Sequence, residues 1–273
     1  MVILTKGDIN SLSLRYGVST RDALLLLSAV LKETYDALFF KQYINLSEAD
    51  LEVWKSYLKR RGGEEPIAKI VQKKEFYGIE YKTNRHTMDP RPETELIIDL
   101  FKKYYKNFES DLSILDLGSG TGCLGLTVLS IYKNANCEFV DISEEALNIT
   151  HENAINLNLL DRCAFTISDW FSNVKGCYDV IISNPPYVSM KFKLDRATLF
   201  DPKNSIYAKN DGMESYEKIL PNAPAFLNKN GKLIIEIGFD QKEKIARLQT
   251  QLSLVEIVKD MSGIYRTCVF ENV

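Results

Sequence analysis

From Pro92 onward, short apolar runs alternate with stretches of helical period. The runs at Ser113–Leu117, Ala135–Val140, Ala164–Ser168 and Tyr178–Ser183 are nearly continuous in apolar residues. Strands buried on both faces of a parallel sheet read this way, whereas strands with one wet face alternate. Three further runs, Lys232–Ile237, Leu254–Lys259 and Arg266–Phe270, predict the last strands. The final two lie close in sequence around Gly263, so one of them is expected to run antiparallel. A doubly wound α/β architecture follows for residues 91–273. Residues 1–75 differ. Leu24, Leu27, Leu31 and Leu38 recur at helical spacing behind Thr20 as a cap. Ser47-Glu-Ala-Asp50 predicts a capping box opening a second helix to about Arg60, which Gly62-Gly63 ends. A small helical domain is expected over 1–75. Aromatic and polar residues alternate around Gly78 from Glu75 to Arg85, which predicts a hairpin within a linker over 76–90.

Composition narrows the class. With 273 residues and 45% hydrophobic content, the chain can bury one large core or two unequal ones. A net charge of −3 argues against a protein held on bulk nucleic acid, because phosphate binding needs positive charge. Five cysteines without a C-x-x-C pair give neither a disulfide framework nor a zinc site, and two histidines leave little for a metal centre or a histidine triad. Met1–Leu14 lacks an apolar signal core, and the longest apolar stretch, Ala23–Leu31, is too short to span a bilayer. The expectation is a soluble cytoplasmic protein without a membrane partner. The basic runs Lys55–Arg61 and Lys69–Lys74 are expected to form a solvated face.

The chemistry concentrates in two places. Asn184-Pro185-Pro186-Tyr187 closes the run at Tyr178–Ser183. Proline fixes its own φ and pushes the preceding residue out of the helical region, so this backbone is nearly predetermined. Neither proline donates a hydrogen bond. The segment therefore offers two acceptors, the Asn184 amide oxygen and the Pro185 carbonyl, beside the Tyr187 ring, which suits a planar –NH2 group. The second place is the loop Gly118-Ser119-Gly120-Thr121-Gly122 after the first strand, with Asp141 ending the next. Gly120, Gly122 and Gly125 satisfy G-x-G-x-x-G, and a carboxylate at Asp141 suits the two hydroxyls of a ribose. That pattern alone fits a nicotinamide dinucleotide or S-adenosylmethionine. The amine-binding tetrad favours the methyl donor. Each residue also has a plainer role available: Asn184 as a strand end, Asp141 as a cap before Ser143, Tyr187 and Trp170 as packing, and Pro92 with Glu93 and Glu95 as a helix start.

Together these motifs resemble the PrmC/HemK family, which methylates the side-chain amide of glutamine in the Gly-Gly-Gln loop of peptide-chain release factors. The resemblance spans nearly the whole chain. It includes Arg21–Leu31, Glu65-Pro-Ile-Ala68, Glu75-Phe-Tyr-Gly78 and Pro90-Arg-Pro-Glu-Thr-Glu95. It continues through the glycine loop, the tetrad, Asp211-Gly212 with Tyr216, Glu236-Ile-Gly238, and Asp260-Met-Ser-Gly263 with Arg266. The chain departs from the family pattern at Asp89 and at Val71-Gln-Lys-Lys74. The resemblance implies a class I methyltransferase (Rossmann-like) fold with a seven-stranded, mostly parallel sheet behind a helical substrate-recognition domain. It implies S-adenosylmethionine as cofactor, held by Gly118, Ser119, Gly120, Thr121, Gly122, Asp141, Trp170 and Asn184. Asn184, Pro185 and Tyr187 are the implied catalytic residues, and Pro186, Arg91 and Glu93 join them in binding substrate. Class 1 release factors are the implied partner, nucleic acid is not, and a monomer is expected. The rival is an adenine or cytosine amino-methyltransferase, whose target is also a planar –NH2; the acidic balance and the lack of a basic target-recognition region stand against it.

Overall fold

All 273 residues are described by the computed structural model. The chain divides into two units, the first comprising Met1–Lys73 with Leu194–Phe200, the second Lys74–Lys193 and Asp201–Val273.

The first unit is mainly helical, with helices Lys6–Arg15, Thr20–Leu31, Tyr35–Phe40, Glu48–Gly62 and Ile67–Val71. Its core gathers Ile9, Leu24, Leu26, Leu27, Leu38, Trp54 and Leu58, and the Trp54 indole N–H donates to the Ala23 carbonyl at 2.9 Å. The capping box at Ser47 and Asp50 forms as the sequence predicts. Four details differ. Ser19, not Thr20, caps its helix, accepting from the Asp22 amide. That helix ends at Lys32, whose left-handed φ of 55° breaks the leucine period, so Leu38 packs from the next helix. A short antiparallel ribbon also joins β1 (Val2–Thr5) to β2 (Tyr43–Leu46). Strands of four residues are too brief for alternation to stand out in sequence, and their pairing spans about forty positions. The solvated basic face is also incomplete, because Lys69 is buried.

At the start of the second unit, β3 (Lys73–Phe76) and β4 (Ile79–Lys82) form the hairpin, turning through Tyr77 and Gly78, both at positive φ. The main sheet holds β5 (Ser113–Leu117), β6 (Asn136–Asp141), β7 (Cys163–Ile167) and β8 (Tyr178–Ser183). A two-stranded parallel pair, β9 (Val188–Ser189) and β10 (Tyr207–Ala208), lies in the long connection that follows. Then β11 (Leu227–Glu236), β12 (Ser253–Lys259) and β13 (Tyr265–Glu271) complete seven strands in the order β12-β13-β11-β8-β5-β6-β7. β13 pairs antiparallel with both of its neighbours and is the one reversed strand. Alternate residues feed two cores. Ile114, Val180, Ile182 and Ile234 pack on one face; Leu115, Leu117, Ile181, Leu233 and Ile235 pack on the other. That double burial is why these runs are continuous in apolar residues.

The sheet reverses its winding between β5 and β8. In such sheets the crevice outside the carboxyl ends of the strands at the switch point is where ligands bind. Gly118 follows β5, Asp141 ends β6, Asn184 follows β8 and Glu236 ends β11. All four reach the same edge.

Candidate active site

A cavity of about 370 Å³ opens at this edge, within the roughly 300–1,000 Å³ typical of small-molecule sites. Gly118, Ser119, Gly120, Thr121, Asp141 and Trp170 line one part of it. The glycine turn is pinned by the Gly118 and Ser119 amides, which donate to the Val140 carbonyl at 2.8 and 2.9 Å. Gly118, Gly120 and Gly122 all have positive φ. At Gly122 a Cβ would also lie 2.4 Å from Thr150 Cγ2, so no other residue fits. Gly125 is a packing glycine: a Cβ there would sit 2.5 Å from the Phe139 ring. Each Asp141 oxygen accepts one backbone amide, Gly120 at 2.9 Å and Ser143 at 3.0 Å. Asp141 therefore steadies the turn before the next helix and still has lone pairs for a ligand. Burial raises its carboxyl pKa above the usual range. The Trp170 ring stands 3.6 Å from where a Gly118 Cβ would be, and the buried Ser119 hydroxyl has no partner.

The tetrad forms another part of the wall, where Asn184 and Pro186 face the cavity together with Thr94 and Arg91. Ser183 Oγ donates to the Leu117 carbonyl at 2.6 Å, tying the base of the tetrad to the base of the glycine loop. The Pro186 carbonyl accepts from Ser215 Oγ at 2.7 Å and the Tyr187 carbonyl from Gln241 Nε2 at 2.9 Å. Asn184 Nδ2 donates to Thr94 Oγ1 at 3.0 Å, and Thr94 donates onward to Glu236 Oε2 at 2.6 Å. Tyr187 donates its hydroxyl to the other carboxylate oxygen, Glu236 Oε1, at 2.9 Å. Asn184 Oδ1 is left buried without a partner. Burial raises the Glu236 pKa, against the hydrogen bonds from Thr94 and Tyr187, which lower it. Burial, reinforced by the Glu236 charge, likewise raises the Tyr187 phenol pKa.

Other predicted residues stand apart from the cavity surface. Pro185 is buried, Tyr187 is directed behind the wall toward Glu236, and Gly122 caps the following helix. Glu93 is exposed and does not line the cavity. Arg91 reaches it and pairs with the buried carboxylate of Asp201 at 2.6 Å. Thr94 and Glu236 fall within motifs that carry the resemblance, but the sequence assigns no role to either, or to Asp116. Thr94 and Glu236 meet across 142 positions, beyond any local spacing rule. Asp116 lies inside β5, fully buried; one oxygen accepts from the Gly125 amide and the other has no partner, and burial pushes its carboxyl up to about 7.

The model of the family described as methyltransferase small domain matches residues 92–199. A release factor glutamine methyltransferase of Buchnera aphidicola subsp. Schizaphis graminum is 37% identical over 227 residues, covering 82% of this chain and 81% of that protein. A bifunctional methyltransferase of Rickettsia prowazekii is also 37% identical, over 83% of this chain but only 48% of its own length. The chain thus spans about half the length of that relative. Among solved structures, the Thermus thermophilus 16S rRNA N2 G1207 methyltransferase, in complex with AdoMet and guanosine, superposes with a TM-score of 0.50 at 15% identity, covering 74% of this chain and 50% of that one. At that identity the likeness is one of fold.

Proposed function

The chain belongs to the release factor glutamine methyltransferase family, and on that footing we propose that it methylates the side-chain amide nitrogen of the Gly-Gly-Gln glutamine in class 1 peptide-chain release factors, using S-adenosylmethionine. The observation that carries this reading is the Asn184 amide oxygen, a buried acceptor without a partner on a residue that lines the cavity.

The residues beside the glycine loop suit the cofactor. Asp141 offers acceptors for a ribose diol, Ser119 an unpartnered hydroxyl, and Trp170 a flat face against Gly118. Gly120 and Thr121 line the cavity beside them, with Gly122 holding the turn behind. When bound, S-adenosylmethionine supplies an electrophilic methyl group on a sulfonium. The protein must then orient a poor nucleophile, because the amide nitrogen shares its lone pair with its carbonyl. Holding the reacting atoms in line contributes roughly 7–11 kcal/mol at best. Asn184 Oδ1 accepts one amide N–H, which stabilises positive charge developing on nitrogen; Pro185, buried behind the cavity surface, restricts the backbone that aims Asn184. The carbonyls of Pro186 and Tyr187 are already engaged. The nitrogen can release its proton after the methyl has arrived, so no strong base is required. Arg91 contacts the substrate inside the cavity, and exposed Glu93 meets the factor's surface outside it. The protein acts as a cytoplasmic monomer without nucleic acid as substrate. No helix of the structure is long and apolar enough to cross a membrane.

The test is methyl transfer from labelled donor to a purified release factor, beside the same factor with the motif glutamine replaced, and beside DNA and RNA. Label on the intact factor alone is expected. Label on nucleic acid with the factor untouched would transfer the same site to a different substrate class.

A further inference from the structure

An asparagine can present either end of its amide to a ligand, and only its oxygen suits an incoming –NH2. The ends are told apart by their hydrogen-bond partners. Here the partners form a one-way chain. Glu236 accepts at both carboxyl oxygens, from Tyr187 at Oε1 and from Thr94 at Oε2, so Oε2 takes the single hydroxyl proton of Thr94 at 2.6 Å. Thr94 Oγ1 is then only an acceptor toward Asn184, and it accepts from Nδ2 at 3.0 Å. The reverse orientation would place Asn184 Oδ1 against an oxygen with no proton to share. Oδ1 therefore stays on the unpartnered side. Glu236 is itself held in place: Tyr187 donates to its second oxygen, and the Arg266 guanidinium, paired with Asp260 at 3.1 Å, stands beside Tyr187 and Glu236.

We propose that Glu236, acting through Thr94, is a positioning residue that fixes the polarity of the Asn184 amide, so that an acceptor rather than a donor meets the substrate –NH2 group. This rests on the acceptor role given to Asn184 above. It also explains a fully buried carboxyl 52 positions beyond Asn184 that does not line the cavity. In Glu236→Gln the side chain keeps its shape but can present N–H to Thr94. The Thr94 proton is then free to turn toward Asn184, and the amide can flip.

Three variants and one spectrum test this. Glu236→Gln is expected to lower kcat at least tenfold with donor affinity within twofold of wild type. At position 94 the prediction separates polarity from packing. Thr94→Val keeps the volume and loses the hydroxyl, so kcat should fall; Thr94→Ser loses a methyl but keeps the hydroxyl, so kcat should stay within about threefold. The opposite order, with Val active and Ser impaired, would mean that Thr94 merely fills space and would overturn the proposal. Wild-type kcat in Glu236→Gln would overturn it too. A readout independent of substrate is the side-chain amide signal of Asn184 in protein labelled with 15N-asparagine, assigned by its loss in Asn184→Asp. Its exchange with water should be slow in wild type and Thr94→Ser and faster in Thr94→Val. An unchanged Thr94→Val signal would remove Thr94 as the acceptor. If wild-type protein left the release factor unlabelled, the assigned reaction would fall while the amide signal still decided the polarity.

Discussion

Asn184 and Asp141 sit 43 positions apart and line one cavity, where the proposed reaction gives the first to the substrate amide and the second to the methyl donor. Their loss should therefore have different signatures. Asn184→Ala is expected to abolish turnover while calorimetry still finds donor binding, because nothing on the glycine loop depends on the Asn184 side chain. Asp141→Ala removes the acceptors for the Gly120 and Ser143 amides as well as those offered to a ribose. Hydrogen bonds to a charged group contribute about 1.5–3 kcal/mol, so donor affinity should weaken by about tenfold or more. Donor affinity lost in Asn184→Ala in step with turnover would move that residue into the donor site. Asp116 makes a separate prediction. Its folded pKa of about 7 lies above the ordinary 3.8 because it is buried. Between those values the folded chain keeps a proton that the unfolded chain releases. Stability contributed by this group is therefore full at low pH and falls as pH rises toward 7, by about 1.4 kcal/mol per unit in that window. Asp116→Asn lacks the titration, so its urea midpoint relative to wild type should improve between about pH 4.5 and pH 7.5. A constant difference across that range would show that Asp116 does not titrate there.

At the scale of elements, the tetrad is held by the segment that follows it. Gly212 has φ +86°, and a Cβ there would come within 2.2 Å of the Tyr187 carbonyl oxygen and 2.6 Å of Gln241 Nε2. Gln241 bridges the Tyr187 and Gly212 carbonyls, so pushing on Gly212 moves the tetrad backbone. Gly212→Ala should cost about 1–3 kcal/mol of stability and lower kcat, with donor affinity nearly unchanged. An active Gly212→Ala enzyme would mean that the tetrad tolerates movement. Strand runs were legible at the buried centre of the sheet, where Tyr178–Ser183 matches β8 residue for residue, and also at its edges, where β7 and β12 are only partly buried. The ribbon of β1 and β2 was not legible, because its four-residue strands depend on a partner far along the chain.

For the whole molecule, each unit contains one of the two tryptophans, Trp54 in the first unit's core and Trp170 at the cavity. Leu27 is fully buried in the first unit. Leu27→Ala should cost about 2–5 kcal/mol there. The expected result is an earlier thermal transition in Trp54 fluorescence, measured in a Trp170→Phe background, with donor affinity in the Trp170-containing protein within twofold of wild type. A large loss of donor affinity would show that the donor site depends on the first unit's core. The sequence by itself determined the alternation of buried strands and helices, the glycine turn and the proline-fixed tetrad, because these follow from burial period and backbone restriction within a few residues. Family membership was legible for the same reason, through local motifs. Which end of the Asn184 amide faces the cavity was decided only by the tertiary structure. That choice depends on Thr94 and Glu236, brought from 90 positions before and 52 after, and a chain of hydrogen bonds has direction only once its members are in contact.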